Sequence, residues 1–164
     1  MATWEVILAN MARLTQDQLL SRMPLACNSI AAPTDLSWRS DLPTCETFRR
    51  FYALCDGGDF GNGMYHLHNA DAAGVETDNW RELLREGEGK EILVAGRHVV
   101  FGEDSAGAPL IWDAHTDAVS TFWFKGGTWE PVAVSPEAFF EALFHPDPHA
   151  EPEWALAIEQ ISEV

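Results

Sequence analysis

Apolar positions recur every three to four residues along the first half of the chain, gather into short strand-like runs between turn residues from residue 91 to 134, and then return to helical spacing. Trp4, Ile7, Leu8, Met11 and Leu14 form the first helical stripe. Thr15 and Gln18 make a capping box for a second short turn stopped near Pro24, so residues 1–25 are expected to be helical. Residues 26–41, rich in Asn, Pro, Thr, Asp and Ser, read as an irregular connection held to the body by Leu36 and Trp38. Phe48, Phe51, Tyr52 and Cys55 then stand at i, i+3, i+4 and i+7, with Thr44 as expected N-cap and Gly57-Gly58 as the stop. Asp56 and Asp59 bracket that double glycine at an expected exposed turn, followed by a short strand over residues 64–68. Thr77 or Asp78 is expected to cap a helix using Trp80, Leu83 and Leu84, ended by Gly87 and Gly89.

The stretch from 91 to 134 predicts five short strands, at residues 91–95, 98–101, 109–113, 118–124 and 128–134, joined by turn residues as an antiparallel meander. Phe122, Trp123 and Phe124 are consecutive and cannot all face one side of a strand, so part of this aromatic run must face outward. Ser135-Pro136-Glu137 is a strong helix start, with Phe139, Phe140 and Leu143 as its apolar face. HPDPHAEPE breaks that helix, and Trp154, Ile158 and Ile161 mark a last acidic helix over residues 151–162. There is no internal repeat and no low-complexity segment. Helices on either side of a run of strands give an α+β class with a mainly antiparallel sheet flanked by helices, in one domain over residues 1–164.

Charge sharpens this picture. The 164 residues carry 26 Asp and Glu against 10 Lys and Arg, a net of −16. Residues 1–97 have a net of −5, while residues 98–164 set Lys125 alone against 12 acids, a net of −11. Such a surface serves solubility, repels nucleic acid and anionic membrane, and steers basic partners. No stretch has the make-up of a signal peptide or a membrane span, and the three cysteines form no CxxC pair, so the expected compartment is cytoplasmic.

Candidate chemistry is sparse. In FGEDSAGAPLIWD, residues 101–113, Glu103-Asp104-Ser105-Ala106-Gly107 lacks the ligand pattern of a calcium loop and the GxxxxGK[ST] of a phosphate loop; it reads as a hairpin turn with an acidic tip. His66 and His68, two apart on a strand, share a face and offer two corners of a zinc site without an evident third. His145, Asp147 and His149 alternate in the same way, but the prolines of that turn explain the spacing without a metal. Cys45 and Cys55 belong to a helix face as buried thiols, and Cys27, in the expected loop, is the one candidate for a reactive thiol. No GxSxG, GxGxxG or kinase-type set occurs, so the sequence offers no catalytic constellation and no cofactor is expected.

Three segments together resemble the SUKH superfamily, whose members include bacterial immunity proteins and related regulators. Leu42-Pro43, Phe48, Phe51, Tyr52 and Leu54 leading into Asp56-Gly57-Gly58 resemble its first element. Phe101-Gly102-Glu103-Asp104 and Gly107, followed by Leu110-Ile111-Trp112-Asp113, resemble its strand, glycine turn and strand. Pro131-Val132-Ala133 through Ser135, Phe139 and Leu143 resemble its closing strand and helix. The likeness spans about residues 42–144 and departs from the pattern at Ser105-Ala106 and Ala108. It implies a protein-binding module, in many relatives an immunity protein that neutralises a toxin domain such as a nuclease. The expected partner is then a basic protein, met by acidic residues among Asp56, Asp59, Glu103, Asp104, Asp113 and Asp117. A regulatory scaffold for a host protein is the alternative, and a metal-dependent hydrolase using the histidines is the third reading. The sequence is silent on oligomeric state.

Overall fold

A computed structural model describes residues 3–14, 27–33, 38–61, 64–124, 126–147, 149 and 155. Seven strands pair in chain order into one antiparallel sheet: β1 (Cys27–Ile30), β2 (Gly58–Phe60), β3 (Tyr65–Leu67), β4 (His98–Asp104), β5 (Pro109–Asp113), β6 (Val119–Trp123) and β7 (Thr128–Ala133). Helices α1 (Trp4–Ala12), α2 (Glu46–Leu54) and α4 (Pro136–Phe144) cover one face, and α3 (Ala70–Glu88) covers the other. This is an α+β domain with helices flanking the sheet.

The larger core lies under the three helices. Phe48 is its hub, with ring centroids 5.0 Å from Phe101, 5.2 Å from Trp112 and 6.2 Å from Phe140. Alternation explains the partition. Val99, Phe101, Leu110, Trp112 and Val119 point to this side, while Val100, Ile111 and Phe122 point to α3, where they meet Leu84 and Leu93. The start of α4 is as expected: Ser135 Oγ accepts from the Ala138 amide at 3.0 Å, and Pro136 opens the helix.

Four expectations are corrected. Residues 27–30, expected as irregular connection, form β1, with Ile30 opposite Gly58 in β2. Cys27 therefore stands in a strand and not in a loop. Residues 91–95, expected as a strand, are irregular and lead into a turn over 95–97: the Val94 carbonyl accepts from the Arg97 and His98 amides and the Val94 amide donates to His98 Nδ1, so backbone groups a ladder would use are spent locally. Helix α3 begins at Ala70, well before Thr77, because Asn69 Oδ1 accepts from Ala72 and Asp56 Oδ1 from Ala70. Its first half packs through Ala70, Ala73, Gly74 and Thr77, too small to make an apolar stripe. Thr77 is a buried helical residue whose hydroxyl bridges the Ala73 carbonyl and the Val100 amide.

The fourth correction concerns Gly57-Gly58. Helix α2 starts after Cys45, not Thr44, and ends at an extended Cys55 rather than a left-handed glycine. Gly57 has φ +90°, and a Cβ there would stand 2.4 Å from the Leu67 carbonyl oxygen. Glycine is required here for the close approach of two backbones. That approach also buries Asp56, which is 8% exposed instead of lying at an open turn. The expected second turn before Pro24 and the last helix with Trp154, Ile158 and Ile161 fall outside the described residues.

Candidate functional site

Because neighbouring strands are antiparallel, the turns after β2, β4 and β6 all emerge at one end of the sheet, and the turn after β5 emerges at the other. The registers align that first end closely: Tyr65 lies opposite Asp104, Glu103 opposite Pro109, and Trp123 opposite Thr128. Glu103 and Asp104 therefore share an end with the exposed side chains of Met64, Trp123 and Phe124.

The six acids expected to face a partner are divided between the two ends. Asp59, His66 and Glu103 stand side by side across β2, β3 and β4, with Asp59 Oδ1 2.6 Å from His66 Nδ1. Asp104 is bound to its own turn, its Oδ1 accepting from the Ala106 and Ala108 amides at 3.0 and 2.9 Å. Gly107, at φ +80°, completes the expected hairpin. At the opposite end, Asp113 accepts two hydrogen bonds from Arg97, at 3.0 and 2.8 Å, and a third from the His115 amide. Asp117, at φ +68°, accepts from Trp112 Nε1 at 2.9 Å. Asp56, Asp104, Asp113 and Asp117 thus help to build the fold, and Glu103 and Asp59 form the row on the α3 face.

The cluster around Asp113 was not singled out by the sequence. A cleft of about 360 Å³ is lined by Arg97, His98, Asp113, Thr116, Ser120 and Trp129. The Arg97 guanidinium holds the Asp113 carboxyl well below the usual carboxylate range. His98 Nδ1 accepts from the Val94 amide at 2.8 Å, which puts the proton on Nε2, 3.6 Å from Asp113 Oδ2. Burial lowers the His98 pKa, and the Trp129 ring stacks on it at 5.6 Å. Through Nδ1, His98 anchors the loop at Val94, and its Nε2 faces the Asp113 carboxylate.

The remaining candidates are quickly placed. The His66 and His68 rings lie 5.3 Å apart on one side, as their spacing predicts, yet no group of three or more His, Cys, Asp or Glu among the described residues can hold a metal ion. His68 is 8% exposed; burial, with His66 beside it, lowers its pKa, and its Nε2 is buried without a partner. Asp147 accepts from the His149 amide at 2.9 Å, so the HPDPH turn is closed by its own backbone. Burial pushes the Cys55 thiol up to about 12 and raises Cys45 as well, which leaves both poor nucleophiles. No described helix is long and apolar enough to cross a membrane.

Against known proteins, the chain matches no protein-family model and no curated protein.

Of the described arginines, six are bound to carboxylates of the chain itself: Arg39 to Asp41 and Asp78, Arg49 to Glu46, Arg50 to Glu5 and Glu137, Arg81 to Asp78, Arg85 to Glu82 and Arg97 to Asp113. The positive charges are largely consumed inside the molecule. The field outside is that of the remaining acids.

Proposed function

We propose that this protein is a SUKH-type binding module of the immunity kind, which blocks a basic toxin domain such as a nuclease by covering its cationic surface. The observation that carries the reading is the net charge of −16 in a chain whose described arginines are mostly tied to its own carboxylates. A substrate-binding cleft that holds nucleic acid is basic, and an anionic protein finds it with steered, fast association. The end of the sheet bearing Glu103, Met64, Trp123 and Phe124 is the contact surface we favour. It combines acidic charge with exposed large apolar side chains, the composition of an interface hot spot inside a polar rim.

The test is affinity capture of the tagged protein from lysate of its own organism at low and high salt. A stoichiometric basic partner released by high salt supports the reading. A salt-resistant partner favours the second reading, a regulatory scaffold held by apolar contacts, which the exposed Phe124 and Trp129 support. An empty capture sinks both.

A further inference from the structure

Two tryptophans of this fold hold a glutamate by the indole N–H, one with its ring fully buried and one with its ring part-exposed. At the first, Trp4 Nε1 donates to the part-exposed Glu137 Oε1 at 3.0 Å, and Arg50 completes the group. Its guanidinium lies 5.4 Å over the Trp4 ring and donates to Glu137 Oε2 at 2.5 Å. On the surface, Trp123 Nε1 donates to Glu130 Oε2 at 3.0 Å. Among the described residues no arginine is there. Trp123 is 38% exposed, and among the described residues Glu130 has no ion pair and its Oε1 takes no hydrogen bond.

The surface pair sits on the β6–β7 hairpin, where β7 is the last strand of the sheet among the described residues. Phe124 and Trp129 are exposed to 54% and 39% on the same hairpin, and the Glu88 carboxylate of α3 reaches its turn, 3.2 Å from where a Cβ on Gly127 would stand. A second copy of this chain would bring like charge to the edge, since residues 98–164 carry a net of −11. A basic protein brings the opposite charge.

We propose that Trp123 and Glu130 form a receptor for an arginine side chain of a basic protein partner, completed from outside as Arg50 completes Trp4 and Glu137 within. Arginine suits the pair better than lysine: its planar guanidinium stacks on an indole and meets a carboxylate with a fork of donors. The proposal rests on the reading of the protein as a binder of a basic protein, and it names the edge where that partner docks.

The probe is a hexa-arginine peptide, titrated into the full chain while the indole N–H resonances are followed by NMR, with hexa-citrulline as the uncharged control. The Trp123 resonance, identified with Trp123→Leu, is expected to shift with hexa-arginine and stay still with hexa-citrulline. Glu130→Gln is expected to weaken binding roughly fivefold, the scale of one exposed cation–π and ion-pair contact. Unmoved resonances of Trp4 and Trp112 verify the fold in each variant. A silent Trp123, or a Glu130→Gln variant that binds like the wild type, overturns the receptor. If capture from lysate yields a basic partner while Trp123 stays silent, the docking edge fails and the partner reading stands. If Trp123 binds hexa-arginine and capture is empty, the receptor stands and the partner reading fails.

Discussion

Trp4 and Glu137, 133 residues apart, are joined by a hydrogen bond of 3.0 Å from the indole to the carboxylate. Glu137 also accepts from Thr47 Oγ1 at 3.1 Å and from Arg50, which in turn reaches Glu5. One carboxylate therefore ties α1, α2 and α4 together above the aromatic core. Burial opposes its ionisation, yet the bonds from Trp4, Thr47 and Arg50 prevail and lower its pKa. Glu137→Ala is expected to lower stability by about 1–3 kcal/mol, since it leaves the buried Trp4 indole N–H unpaired and takes one of its two carboxylates from Arg50, and Glu137→Gln by less. Urea midpoints of the two variants check this; equal, near-zero losses would mean that water replaces the carboxylate.

The Arg97–Asp113 pair gives the molecule an acid limit. The folded carboxyl is held below its unfolded value of about 3.9, so the folded state binds fewer protons there. Its contribution is present above about pH 4 and is lost as pH falls through the folded pKa. Between about pH 4 and pH 3 the wild type should lose more stability than Asp113→Asn, measured as the fall in urea midpoint. Parallel curves for the two proteins would show that the pair is not coupled to folding.

His68 acts in a higher window. Its pKa is lowered by burial, so below about pH 6.5 the unfolded chain takes up a proton that the folded one resists, and stability falls with pH. His98, lowered in the same direction, adds to this loss. Because His68 Nε2 is buried without a partner, His68→Leu is expected to be neutral or stabilising at pH 7.5 and to flatten the decline between about pH 6.5 and 5. A loss of more than about 1 kcal/mol at pH 7.5 would show that this nitrogen has a partner in solution.

The elements that could be read from the sequence are those whose periodicity comes from large side chains. Strands β4 to β7 show as short apolar and aromatic runs between turn residues, and α4 announces itself through Ser135, Pro136 and three apolar positions. The first half of α3 does not, because Ala70, Ala73, Gly74 and Thr77 fit a close contact with the sheet without an apolar stripe. The turn at Val94 mimics a strand in composition; only its hydrogen bonds to Arg97 and His98 reveal otherwise. For the site, the pattern supplied acids but not their pairing. Arg97 meets Asp113 through the register of β4 on β5, Asp56 is buried by the close approach at Gly57, and Trp123 meets Glu130 across a hairpin. Such relationships depend on which residues face each other across strands, and local spacing does not fix that.

The most direct measurement of the central claim is the association rate constant with the captured basic partner across salt, from about 0.05 to 0.5 M, for the wild type and for Glu103→Lys/Glu130→Lys. The wild type is expected to slow about tenfold or more as salt rises, and the variant to be slower at low salt with a flatter dependence. Equal rates for the two proteins, unchanged by salt, would contradict it.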